Sequence, residues 1–103
     1  MENNQSKLQI TKHAYMRLKE RNGWNKKTSD RMIQKVFADG LRYDNIKGYI
    51  RIWLKEYGYS DNSDYVLYGR YIYIFKDNCL ITSFPVPNRE TVRNRYFTRK
   101  EVA

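Results

Sequence analysis

The sequence predicts an α+β fold in which about three N-terminal helices pack on a C-terminal antiparallel three-stranded meander, followed by a basic tail. Two observations carry this expectation. Up to residue 58 the apolar residues recur three and four apart, the period of a helix with one covered side. From residue 65 they alternate or run together in short bursts bounded by Gly, Asp-Asn and Pro, as strands do. Helices first and strands afterwards make an α+β arrangement rather than a βαβ one.

Taken in order, residues 1–7 are polar, lack an apolar period and read as a flexible end. Thr11 then caps a short helix through KHAYMRLKERN, which Gly23 terminates. Asn25 caps a second helix whose Met32, Ile33, Val36 and Phe37 fall on one side, with Gly40 as its end. A third starts at Asp44 or Asn45, carries Ile46, Tyr49, Ile50, Trp53, Leu54 and Tyr57, and stops at Gly58. Gly48 lies inside it and costs about 1 kcal/mol of helix propensity. Strands follow over 65–68, 71–76 and 79–84, the first two joined around Gly69-Arg70 and the last two through the tight turn Asp77-Asn78. Tyr71, Tyr73 and Phe75 share one face of the middle strand, and Ile72 and Ile74 share the other. Both faces are apolar, so this strand is central and covered on both sides. Pro85 and Pro87 end the sheet. The expected core is Ala14, Leu18, Ile33, Val36, Phe37, Ile50, Trp53, Leu54, Ile72, Ile74, Leu80 and Ile81.

A chain of 103 residues fits one domain, 1–103, whose tail at about 89–103 is either a short basic helix or a second flexible end. Aromatic residues reach 16%, which disordered chains do not approach. No apolar run nears the ~20 residues that cross a bilayer, and no signal segment opens the chain, so no membrane partner and a cytoplasmic location are expected. Cys79 is the one cysteine, which excludes an internal disulfide and a cysteine-rich zinc site. The acidic residues are scattered, so no metal site and no cofactor are expected, and any phosphodiester chemistry would be metal-independent.

Charge is the strongest functional signal. The chain carries +9, and residues 1–57 alone hold thirteen basic and six acidic residues. Such a chain attracts polyanions through counterion release, so the expected partner is nucleic acid, RNA more than DNA. Within KHAYMRLKER, His13, Arg17 and Arg21 fall at i, i+4 and i+8, on one side of the helix, with Lys12 beside them. A neutral imidazole at His13 would accept a proton as a general base must, and Arg17 and Arg21 would hold a phosphate through paired hydrogen bonds. The same three residues also suit an ordinary solvated helix face. Thr82 and Ser83 bring hydroxyls to the end of the last strand, where they serve either phosphate contact or simple β-propensity. Tyr65, Tyr68, Tyr71 and Tyr73 are base-stacking platforms or core residues. In the tail, Arg93, Arg95, Arg99 and Lys100 form a phosphate-contacting arm or a solvated end.

The segments ITKHAYMRLKER and YIYIFKDNCLITSFPVPN, in that order, resemble a loosely defined set of small phage and mobile-element proteins. These share a His-Ala-x-x-Arg-x-x-x-Arg helix and a terminal sheet reading aromatic, apolar, Thr and Pro. That set in turn resembles the toxin-like ribonucleases grouped with barnase, EndoU and RelE-type toxins, in which helices precede and pack on an antiparallel sheet. The likeness touches His13, Ala14, Arg17 and Arg21, then Tyr73, Phe75, Thr82 and Pro85, with unmatched sequence between. It implies His13 as general base, Arg17 and Arg21 as phosphate clamps and Thr82 as a transition-state contact facing them from the sheet. EndoU-like enzymes use two histidines, and this chain has one. Two functions are therefore expected as alternatives. One is a phage- or mobile-element-derived RNA-binding protein, with metal-independent toxin-like ribonuclease activity as its sharper form and an antitoxin as its protein partner. The other is a non-catalytic binding protein, such as a phage inhibitor of a host nucleic-acid-handling defence complex.

Overall fold

The computed structural model describes residues 8–60 and 62–89. Among the described residues nine elements follow one another: β1 (Gln9–Ile10), α1 (Lys12–Asn22), α2 (Lys26–Asp39), β2 (Leu41–Arg42), a one-turn 3₁₀ helix (Tyr43–Asn45), α3 (Tyr49–Tyr57), β3 (Asp64–Tyr68), β4 (Tyr71–Lys76) and β5 (Cys79–Pro85). None of the helices among the described residues is long and apolar enough to cross a membrane.

The expected three-stranded meander is corrected here. β3, β4 and β5 do form an antiparallel meander, but they are the middle of a five-stranded mixed sheet of order β1-β5-β4-β3-β2. β1 joins β5 in parallel and β2 joins β3 antiparallel. Each added strand is two residues long, too short for a period-two pattern to register, and each abuts a helix whose own periodicity dominates the local sequence. β1 is nonetheless tied firmly: the Gln9 amide donates to the Asn78 carbonyl at 3.0 Å and the Thr11 amide to the Leu80 carbonyl at 3.1 Å.

The same Thr11 caps α1, its hydroxyl accepting from the Ala14 amide at 3.0 Å. Gly23 ends the helix at φ 72. Asn25 caps α2 through the Thr28 amide at 2.8 Å. The third helix starts later than expected. Gly48 stands just before it at φ 79 and ψ −151, a conformation that suits glycine, so it breaks the chain there instead of lying inside a helix. Asp77 and Asn78 both have positive φ, 52 and 63, as a two-residue hairpin turn matched to strand twist requires.

Two cores form, one on each side of β4. On one face Ala14, Leu18, Ile33 and Val36 from α1 and α2 pack on Val66, Tyr73, Phe75 and Leu80. On the other, Ile46, Trp53 and Leu54 cover Tyr65, Ile72 and Ile74. Phe37, Ile50 and Ile81 are only partly buried and pack around the edges of these clusters.

The link from α2 into β2 is the tightest point. A Cβ on Gly40 would press on the Val66 side chain and lie 2.7 Å from the Val36 carbonyl oxygen and 3.0 Å from that of Leu67. Two of those neighbours are backbone and cannot swing aside. Gly40→Ala should therefore lower stability by about 1–3 kcal/mol, the usual effect of overpacking, read as an earlier urea midpoint with unchanged slope. An unaltered midpoint would show that the α2–β3 contact yields more than its geometry allows.

Candidate nucleic-acid interface

α1 lies against β5 and β4 with Ala14 and Leu18 fully buried beneath it. Each step of four residues along a helix turns the side chain by about 40°, so the row His13, Arg17, Arg21 winds round α1 rather than running straight along it, with Arg21 still exposed at its end. His13 is exposed, Arg17 is half-buried, and the Arg21 guanidinium donates to the backbone carbonyl of Ser83. The Tyr71 hydroxyl donates back to the Arg21 carbonyl at 2.7 Å, and the Asn22 amide donates to the Tyr73 hydroxyl at 3.1 Å. Arg21 thus has a structural task, fixing the end of α1 to β5. Arg17 is occupied too: its Nε donates to His13 Nε2 at 3.3 Å, and its NH1 meets Glu20 at 3.1 Å. The His13 contact uses the lone pair that a general base at Nε2 would need. Lys12 is exposed in the first turn of α1.

Thr82 does not face this row. It pairs with Ile74, whose side chain lies in the α3 core, whereas Ser83 pairs with Tyr73 in the α1–α2 core. A bulge between Ile74 and Phe75 causes this, because Phe75 pairs with Leu80 and leaves Ile81 without a partner in the ladder. The sheet therefore stands between Thr82 and His13. Ser83 takes the position under α1 instead; its hydroxyl is buried with no hydrogen-bond partner among the described residues, as is Asn22 Oδ1. Of the four proposed stacking tyrosines, Tyr65 and Tyr73 are buried and Tyr68 and Tyr71 are half-buried packing residues. Arg93, Arg95, Arg99 and Lys100 lie outside the described residues.

What the structure brings together is a cationic surface larger than the His13 row. α1 and α2 carry eight Lys and Arg against three Asp and Glu, and seven of the eight are exposed. The 43–60 segment with α3, on the opposite side of the sheet, carries three against two. Lys19 on α1 and Lys26, Lys27, Arg31 and Lys35 on α2 were not singled out from the sequence. A signal was present: the Asn25 cap puts Lys26 and Lys27 in the first turn of α2, which contains no acidic residue. Cations there oppose the helix dipole, so they lower helix stability rather than support it.

No protein-family model matches the chain with significance, and neither does any curated protein or solved structure.

Two tyrosines under this surface titrate abnormally. Burial pushes the Tyr73 hydroxyl up to about 12, against the opposing pull of the Asn22 amide bond. Burial, then the hydrogen bond to Asp30 and that carboxylate's charge, push Tyr15 up to about 12. When unfolded, each would ionise at its ordinary value of 10. Their contribution is thus complete below pH 10 and is lost as the pH climbs from 10 towards 12. Urea midpoints measured across that window should fall, and Tyr73→Phe should make the fall shallower. An equal slope in the variant would mean that Tyr73 does not sense the fold.

Proposed function

We propose that this protein binds RNA through the outer surface of α1 and α2, holding phosphates electrostatically and without cleaving them. The observation that supports it is the placement of charge: both helices spend their apolar sides on one core and leave seven cations in solvent. Binding is favoured over cleavage because Thr82 lies on the far side of the sheet from His13, and because His13 and Arg17 are bonded to each other. Lysines acting as point charges on a helical surface suit backbone contact, which carries no sequence information. RNA as the class of nucleic acid follows the resemblance to RNA-directed proteins.

Fluorescence anisotropy with a labelled single-stranded RNA tests this. Each neutralised phosphate on a single strand contributes about −0.7 to the slope of log affinity against log salt, so about four contacts give roughly −3. Lys19→Gln with Lys27→Gln should flatten that slope by about 1.4, whereas Lys47→Gln with Lys55→Gln, on the opposite side, should leave it unchanged. His13→Ala should keep affinity within about twofold, since a lone exposed imidazole adds little to a field of eight cations. Absence of binding at low salt, or equal effects from the two lysine pairs, would refute the proposal. So would RNA cleavage that disappears in His13→Ala.

A further inference from the structure

Between α1 and α2, on the cationic surface itself, lies a hollow of about 320 Å³ lined by Tyr15, Met16, Lys19, Trp24, Asn25 and Lys26. Its size is at the lower end of small-molecule pockets, suited to one flat ring rather than an extended ligand. Its walls are an unusual set for a surface that is otherwise charged. Met16 is 55% exposed, although it is a large apolar side chain in the middle of a basic helix. Trp24 is half-buried and anchored against Tyr73, with centroids 6.4 Å apart and planes 10° from parallel, so its indole is held in a fixed plane. Tyr15 is fixed by its hydroxyl bond to Asp30, and the Lys26 ammonium sits 5.6 Å from the centre of its ring. Asn25 accepts the Thr28 amide through Oδ1, which leaves its amide hydrogens as donors at the edge of the hollow.

We propose that this hollow receives one unstacked nucleobase of a single-stranded RNA, with Lys19 and Lys26 holding the phosphates on either side of it. The inference rests on the RNA-binding proposal and names the form of RNA that proposal leaves open. A thioether and two rigid aromatic rings offer dispersion and stacking to any base, and two ammonium groups at the rim neutralise the flanking backbone. The Asn25 amide donates to a base carbonyl or ring nitrogen. A base paired and stacked inside a duplex cannot enter, whereas single strands and loops present bases already turned out. An apolar hollow amid cations thus converts a non-selective polyanion surface into one that favours single strands.

Three probes of equal length separate the contributions: a ten-nucleotide single-stranded RNA, an abasic single strand of the same phosphate count, and an RNA duplex. The single strand should bind more tightly than the abasic strand by roughly 5- to 150-fold, the range for one base–aromatic stack. It should also quench Trp24 emission, and the abasic strand should not; Trp53, 6% exposed in the opposite core, supplies a constant background. Met16→Ala changes no charge and removes an exposed side chain. It should weaken the RNA single strand several-fold while leaving abasic binding and the melting temperature as they are. Equal affinity for the single and abasic strands without quenching, or a Met16→Ala variant of unaltered RNA affinity, would overturn the base pocket while phosphate binding stands. No binding of any probe at low salt would overturn the RNA-binding proposal itself.

Discussion

Everything in this fold answers to β4. Its four consecutive residues Ile72–Phe75 are buried, and successive side chains of a strand point to opposite faces, so both faces must be covered. A hairpin cannot do this, and neither can a sheet with helices on one side. The chain meets the demand by sending α1 and α2 over Tyr73 and Phe75 and α3 under Ile72 and Ile74. Leu18, Leu54, Val36 and Ile72 lose essentially all contact with water in the process. At about 1.5–3 kcal/mol for each large apolar side chain, these burials are what organise three layers from a chain of this length.

The asymmetry of the two covers has a chemical consequence. One side of the sheet is roofed by two helices of eleven and fourteen residues, the other by a single helix of nine. Each amphipathic helix gives up about a third of its circumference to the core, so the broader roof offers the greater exposed area, and it is there that the cations gather. None of α1, α2 and α3 has an acid in its first turn, and α1 and α2 open on lysines, Lys12, Lys26 and Lys27. That arrangement lowers helix stability slightly and raises the local positive potential. Under the proposed binding, an anionic partner would remove that penalty.

Much of this was legible in the residues, and the failures have physical causes. Caps and stops at Thr11, Gly23, Asn25 and Gly40 fell where they were expected because each is a local interaction between near neighbours. The Asp77-Asn78 hairpin was legible for the same reason. β1 and β2 were not, because a two-residue strand is defined by its partner across the sheet and not by its own sequence. Helix propensity alone counts Gly48 as an interior residue at a cost of about 1 kcal/mol, whereas its φ of 79 makes it the point where the helix begins. Thr82 is the most instructive case. Strict alternation from the hairpin turn would set Thr82 opposite Tyr73, on the α1 side, which is where the ribonuclease resemblance needed it. The bulge at Ile74/Phe75 advances the register by one residue, so that Ser83 takes that side and Thr82 the other. A one-residue slip inverts every side chain beyond it, and nothing in LITSF announces it.

The way the arginines and lysines are used bears on what the surface can recognise. Arg21 is committed to the Ser83 carbonyl, Arg17 to His13 and Glu20, and Arg42, on β2, to the Phe37 carbonyl at 2.7 Å with its guanidinium 4.2 Å from the Phe37 ring centre. Planar guanidinium groups, which read phosphate or base edges with fixed geometry, are thus partly taken up by the protein's own backbone and side chains. The cations left without such ties on the α1–α2 roof are mostly lysines, whose charge is compact and whose stems are flexible. Lysines attract a phosphate backbone without dictating an orientation, so in the proposed complex they would set affinity and leave register free. Directional contact then has to come from fixed groups, and on this face those are the half-buried rings of Tyr15 and Trp24, one bonded to Asp30 and the other stacked on Tyr73. Under the proposed RNA binding, selectivity on such a surface would be for the presence of an accessible base, with little discrimination among sequences.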